Sequence, residues 1–248
     1  MTATRKGARS CADIDPVVLA ELNAGTAETL TLSECLGVDF AALMRAALPQ
    51  VDAAPLVAAA GDGVTRRMAL AAQLALDAMG GEALVRLAGH RSDTVRGWAA
   101  YAVGLVPQLT LAERLVRIRP LADDPHFGVR EWAWLGIRAH VVAAPLAVLD
   151  LLVPWTAEAS PYLRRFASEA TRPRGVWCSH ITALKGDPTP GLRVLEALKG
   201  DGERYVQDSV ANWLNDAGKD HPDWVRALCK RWSGEASPYV LKRALRSL

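Results

Sequence analysis

The chain has little from which to build a covalent or metal-bound framework. Its four cysteines, Cys11, Cys35, Cys178 and Cys229, lie far apart without paired spacing, and its five histidines are equally scattered. Neither a disulfide scaffold nor a zinc site is indicated, so single buried thiols are expected, with no metal and no cofactor. No stretch is apolar over the ~20 residues that a membrane-spanning helix needs. The opening MTATRKGARS also lacks the apolar run of a secretory signal. A cytoplasmic protein without a membrane partner is the expectation. Credible runs of strand-like alternation are missing too.

Charge of one sign is scarce only in total. The 248 residues carry a formal net charge of +2. From Ser160 to Leu248, however, there are 15 Lys and Arg against 10 Asp and Glu, whereas residues 1–159 hold 14 against 17. A basic C-terminal half suits contact with a polyanion.

What the chain does have is a repeat. SDTVRGWAAYAVG at 92, HFGVREWAWLGIR at 126, SPYLRRFASEATR at 160 and ERYVQDSVANWLND at 203 share one pattern, and SPYVLKRALRSL at 237 echoes the third. With Arg96, Arg130, Arg164, Gln207 and Leu241 as equivalent positions, the intervals are 34, 34, 43 and 34 residues. That is the period of a helical-hairpin solenoid. The second helix of each pair starts near the shared Val/Leu-Arg, and its core stripe follows i, i+3, i+4, i+7. The stripe reads Val95, Trp98, Ala99, Ala102; then Val129, Trp132, Ala133, Gly136; then Leu163, Phe166, Ala167, Ala170. Upstream, LSECLGVDFAALMRAAL and VTRRMALAAQLALDAM read as further helices. The fold class is therefore all-α, a HEAT-like solenoid of stacked antiparallel helix pairs with a concave basic groove. A disordered tail is expected over residues 1–12 and a single domain over 13–248.

Three acids break the repeat in the second helices. Glu131 lies one residue after its reference position, Glu169 five after and Asp216 nine after. Each step of four turns a helix by about 40° beyond a full circle, so stacked helices would carry the acids in a diagonal row. Their mean direction, about 140°, differs from that of the apolar stripe, about 250°, which predicts that they face a groove and not the core. The 43-residue interval places its extra residues after Glu169, where the chain reads RPRGVW. Pro173 ends a helix there, and Arg172 and Arg174 flank it.

The strings VREWAW, SEATRPRGVW and SVANWLNDAGKDHPD closely resemble the signature regions of the AlkC branch of the AlkC/AlkD alkylpurine DNA glycosylases. ELNAG and LGVDFAAL are similar to that family's opening, and the likeness spans roughly residues 14–232. It implies a HEAT-like solenoid that cups duplex DNA and hydrolyses the N-glycosidic bond of cationic alkylated bases such as 3-methyladenine, without turning the base into a deep pocket. By motif, the family's functional acids fall on Glu131, Glu169 and Asp216, and its active-site tryptophan on Trp177. Cations must then hold the strands. Arg172 and Arg174 stand next to the acids, and Arg130, Arg164, Arg165, Lys219, Lys242 and Arg243 are the further candidates. The expected partner is double-stranded DNA containing alkylated bases, bound by a monomer acting at the nucleoid. Two other readings stand beside this one: a noncatalytic DNA-binding solenoid that recognises bent or damaged duplex, and a protein-interaction scaffold.

Overall fold

The computed structural model describes residues 5–248 and is all-helical, with no strand among the described residues. No helix there is long and apolar enough to cross a membrane. The chain divides into two compact units: Met1–Gln108 with Pro125–Gly136, and Leu109–Asp124 with Ile137–Leu248.

In the first unit the sequence periodicity is realised closely. VTRRMALAAQLALDAM forms the helix Val64–Met79, and Gly80, at φ 56°, ends it in a conformation that favours glycine. LSECLGVDFAALMRAAL is instead two helices, Leu32–Gly37 and Phe40–Ala47. The break falls at Asp39, whose carboxylate accepts the Ala41 and Ala42 N–H groups at 2.9 and 3.0 Å and so caps a new helix.

The repeat's second helices are Asp93–Leu105 and Phe127–Gly136, packed side by side. Val95, Trp98, Ala99, Ala102, Val129, Trp132 and Ala133 are all buried, as the stripe predicts. A β-carbon at Gly136 would run into the Ala100 carbonyl, so glycine here sets how closely the two helices approach. Thr29 ties the loop before them to both: its N–H and hydroxyl donate to Asp93, and its carbonyl meets His126 Nε2 at 2.6 Å. Of the tail expected over 1–12, residues 1–4 lie outside the described residues. The remainder is held, because Arg5 and the Ala8 N–H both donate to the buried Glu34 carboxylate.

The second unit carries the last three repeats, with second helices Pro161–Glu169, Arg204–Gly218 and Pro238–Ala244 packed in that order. Two start with proline at the first helical turn, where its missing N–H costs nothing. Leu163, Phe166, Ala167 and Ala170 are buried, as are Val206, Val210, Trp213 and Leu214. The Trp213 indole N–H donates to the Thr171 carbonyl at 3.0 Å, which ties the Arg204–Gly218 helix to the chain just past the end of Pro161–Glu169. The long interval is taken up by a loop, the short helix Thr182–Gly186 and a turn before Leu192–Leu198. All four cysteines are free thiols; Cys35 and Cys229 are buried, whereas Cys178 is partly open and Cys11 exposed, which corrects the expectation of four buried thiols.

Candidate functional site

The break at Pro173 is built from a side chain the sequence did not point to. Arg138 is buried, and its guanidinium donates to three backbone carbonyls: Ala170 at 3.0 Å, Arg172 at 2.9 Å and Ser179 at 2.9 Å. The Ile181 N–H adds a bond to the Pro173 carbonyl at 2.9 Å. These contacts close the base of a loop running from Arg172 to Ile181. Burial draws the Arg138 pKa below its ordinary value, with the charges of Cys178, Glu169 and Asp216 acting the other way.

At the tip of this loop Val176 and Trp177 are 64% and 48% exposed. Trp177 has φ 62°, in the left-handed region, and no other described non-glycine residue has a positive φ. A bulky residue held there costs on the order of 1–3 kcal/mol. Neither packing nor turn geometry requires an aromatic at that position.

Beside the loop, Glu169 and Asp216 share one cation. Arg172 Nη1 donates to Glu169 Oε1 at 2.6 Å, while its Nε and Nη2 donate to Asp216 Oδ2 at 2.9 and 2.7 Å. The other Glu169 oxygen accepts from Ser209 Oγ at 2.7 Å and lies 3.5 Å from Arg165 Nη2. The other Asp216 oxygen, Oδ1, meets Lys219 Nζ at 3.3 Å. Residue exposure is 3% for Glu169 and 5% for Asp216. Burial alone raises the Glu169 pKa; the charges of Arg165 and Arg172 and the hydrogen bonds from Ser209 and Arg172 outweigh it, and the carboxyl is held below the ordinary glutamate range. The same acids raise the Arg172 pKa against the effect of its own burial.

This differs from the expectation that the acids face a groove. Two carboxylates removed from water are stable only when paired, and here they are surrounded by Arg172, Arg165 and Lys219. Glu131 belongs to the first unit, on Phe127–Gly136, where it accepts the Trp134 indole N–H at 2.9 Å. The structure thus joins Glu169 and Asp216 in the second unit and places the third acid in the other.

The expected phosphate contacts are also revised. Arg172 is partly buried, its side chain 17% exposed, and its guanidinium is engaged by both acids. Arg164 is engaged by Asp201 at 2.6 Å and by the Glu158 and Ala159 carbonyls at 2.9 Å. Arg130 is buried with Nη1 on the Pro125 carbonyl at 2.7 Å. Arg174 is nearer the surface and forks onto Asp220 at 2.8 and 2.9 Å. Arg165 lies over the Tyr205 ring, Arg243 donates to Tyr239 Oη at 3.0 Å, and Lys242 is exposed. Sequence reasoning missed Arg138 and Ser209. A signal existed for Ser209, a small polar residue on the apolar stripe of Val206, Val210 and Trp213; it accepts from Ser168 Oγ at 2.7 Å. None existed for Arg138.

Residues 128–248 match the model of a family described as DNA alkylation repair enzyme. A curated relative, the uncharacterized protein YhaZ of Bacillus subtilis (strain 168), is 35% identical over 145 residues, which cover 58% of this chain and 40% of that one. The Pseudomonas fluorescens alkylpurine DNA glycosylase AlkC, solved bound to DNA containing an abasic site analog, is similar with a TM-score of 0.68 and 26% identity, over 86% of this chain and 62% of that chain. The chain therefore spans less than two thirds of either relative. AlkD2 from Streptococcus mutans, with a TM-score of 0.61 and 21% identity over 75% of this chain and 91% of that chain, shares the fold. The matched segment contains Glu131, the Glu169–Arg172–Asp216 cluster and the Trp177 loop, so the candidate site lies in the part of the chain that is similar to the DNA alkylation repair enzyme family.

Proposed function

We propose that the chain is a DNA glycosylase that hydrolyses the N-glycosidic bond of cationic alkylated bases in duplex DNA, without a metal or nucleotide cofactor. The observation that carries this reading is Trp177, exposed on a left-handed backbone at the end of a loop whose first residue, Arg172, bridges two buried carboxylates.

A purine made cationic by alkylation is already a good leaving group, so no strong general acid is needed. As the bond breaks, positive charge moves onto the deoxyribose, as in glycoside hydrolysis. A carboxylate against the sugar stabilises that charge and orients a water for attack. Asp216 is the residue we assign to this role through Oδ1, the oxygen that Arg172 leaves to the more exposed Lys219. Glu169, fixed by Ser209, supports it. Trp177 packs on the sugar or lesion face, where ring electrons attract a cation.

The Arg172 clamp gives this mechanism a condition. An unpaired buried carboxylate costs several kcal/mol, so the acid pair must hold a cation at every stage. A duplex offers phosphates that attract Arg172 and Lys219 outward, and a cationic lesion can take the vacated place while a neutral base cannot. Preference for charged adducts follows from that exchange.

A noncatalytic duplex-binding role is the second reading, and the burial of Glu169 and Asp216 favours it. Incubation with methylated duplex DNA, followed by chromatography of released bases for wild type and Asp216→Asn, separates the two. Release that collapses in the variant supports catalysis; tight binding without release supports the second reading.

A further inference from the structure

Three tyrosines of the second unit occupy one register. Tyr162, Tyr205 and Tyr239 each stand two residues before the reference positions Arg164, Gln207 and Leu241, in the first turn of successive second helices. They form a connected row. Tyr162 meets Tyr205 edge to face with centroids 5.9 Å apart, and a guanidinium from one helix lies over the tyrosine of the next: Arg165 over Tyr205 at 4.2 Å, Arg204 over Tyr239 at 3.4 Å. The repeat itself does not call for tyrosine here. Its first two copies carry Thr94 and Gly128 at this position, both buried, whereas the three tyrosines are only partly buried.

Two further features give the row a direction. Arg165 touches both the Tyr205 ring and Glu169 Oε2, and Ser209, one turn after Tyr205, donates to that same carboxylate, so the row adjoins the acid cluster at its middle member. Residues 238–248 hold Lys242, Arg243 and Arg246 and no acid, and the one carboxylate that meets this end comes from the preceding helix: Asp208 accepts the Tyr239 hydroxyl and lies 3.5 Å from Arg243. Arg204 is the most available cation along it: it is exposed, and among the described residues it rests on a ring instead of pairing with a carboxylate. A guanidinium stacked flat keeps its edge donors pointing outward in a fixed fork, and it loses less freedom than a lysine when it meets a phosphate.

We propose that the Tyr162–Tyr205–Tyr239 row seats the sugar-phosphate backbone of one DNA strand as it leaves the acid cluster, with Arg204 as a direct phosphate contact. This rests on the DNA reading given above. The tyrosine rings hold the cations in place, and a phosphate contact of this kind positions the duplex without reading sequence.

The test is binding of an undamaged, fluorescein-labelled duplex, followed by anisotropy over a series of salt concentrations. Arg204→Ala and Arg204→Lys are compared with wild type and with Arg231→Ala, which removes an exposed cation on another helix. Thermal melts confirm that all four are folded. Loss of one phosphate contact lowers the slope of log affinity against log salt by about 0.9 and weakens binding roughly three- to tenfold. We expect this for Arg204→Ala, a wild-type slope with a smaller loss for Arg204→Lys, and no change for Arg231→Ala. Wild-type affinity and slope in Arg204→Ala, or equal losses in Arg204→Ala and Arg231→Ala, overturn the proposal. If wild type binds and releases alkylated bases while Arg204→Ala is unaffected, this surface alone is refuted. If wild type fails to bind duplex at all, the DNA reading goes with it.

Discussion

Arg172 approaches Asp216 with two nitrogens on a single oxygen, Nε at 2.9 Å and Nη2 at 2.7 Å from Oδ2, and spends its third on Glu169. The arrangement leaves Asp216 Oδ1 outside the guanidinium's grip. It separates the two oxygens of one carboxylate into one held by Arg172 and one held by the more exposed Lys219, and that division is what the predictions below exploit.

Asp216→Asn keeps the size of the side chain and removes its charge. Base release from methylated duplex should fall by about 10²-fold or more, the scale of losing one electrostatic contact to a transition state. Binding to undamaged duplex should be unchanged or stronger, since a negative charge has gone. Single-turnover release and equilibrium binding, measured side by side, check both halves.

Glu169 makes stability depend on pH in acid. Its folded pKa lies below the ordinary value, so between the two values the unfolded chain binds the extra proton and stability rises with pH. The contribution is complete above the unfolded glutamate value, about 4.3, and is lost as pH falls from there through the lower folded pKa. Urea midpoints across the acid range should show this for wild type. Glu169→Gln should be less stable at neutral pH and should show a shallower decline on acidification; an unaltered profile contradicts the assignment.

Arg138 should prove to be the pin of the loop. Arg138→Met removes three charge-assisted hydrogen bonds to carbonyls, each worth about 1.5–3 kcal/mol at most, and leaves those carbonyls without that donor. Cleavage by trypsin after Arg174 should accelerate several-fold relative to wild type under native conditions, and the melting temperature should drop. Equal cleavage rates would mean that the Pro173–Ile181 bond suffices to hold the loop.

Trp177 offers the opposite balance. Trp177→Gly relieves a left-handed backbone and should leave stability unchanged or raise it by up to about 1 kcal/mol, while base release falls much more than affinity for undamaged duplex. Loss of stability together with an unaltered release rate would assign the residue to packing, not to contact.

The fold was legible where it depended on local pattern. Periodicity located all five second helices because core stripes such as Val95–Trp98–Ala99–Ala102 repeat the geometry of one helix face. The break at Pro173 and the long interval after it also pointed to the loop carrying Trp177. The pairing of cations was not legible. Arg172 reads as a cation beside a proline, yet its principal partner is 44 residues away, and Arg164 meets Asp201 across 37 residues. Whether a surface-type residue stays in water or becomes a counter-ion depends on what the next repeat brings against it, and spacing within a repeat carries no record of that. Arg138 escaped for the same reason, since its three partners are backbone carbonyls, which leave no trace in residue identity. The division into two units, with Glu131 in the first, was equally invisible to a period that runs through both.

The central claim is that the Glu169–Arg172–Asp216 cluster serves bond cleavage and is not merely a buried ion pair. The most direct test is release of alkylated bases from methylated duplex by wild type, resolved by chromatography under single-turnover conditions. The account predicts release of cationic adducts such as 3-methyladenine with neutral bases left in place, and near-complete loss in Asp216→Asn. Tight binding of the same duplex with no base released, or release that survives the substitution, would contradict it.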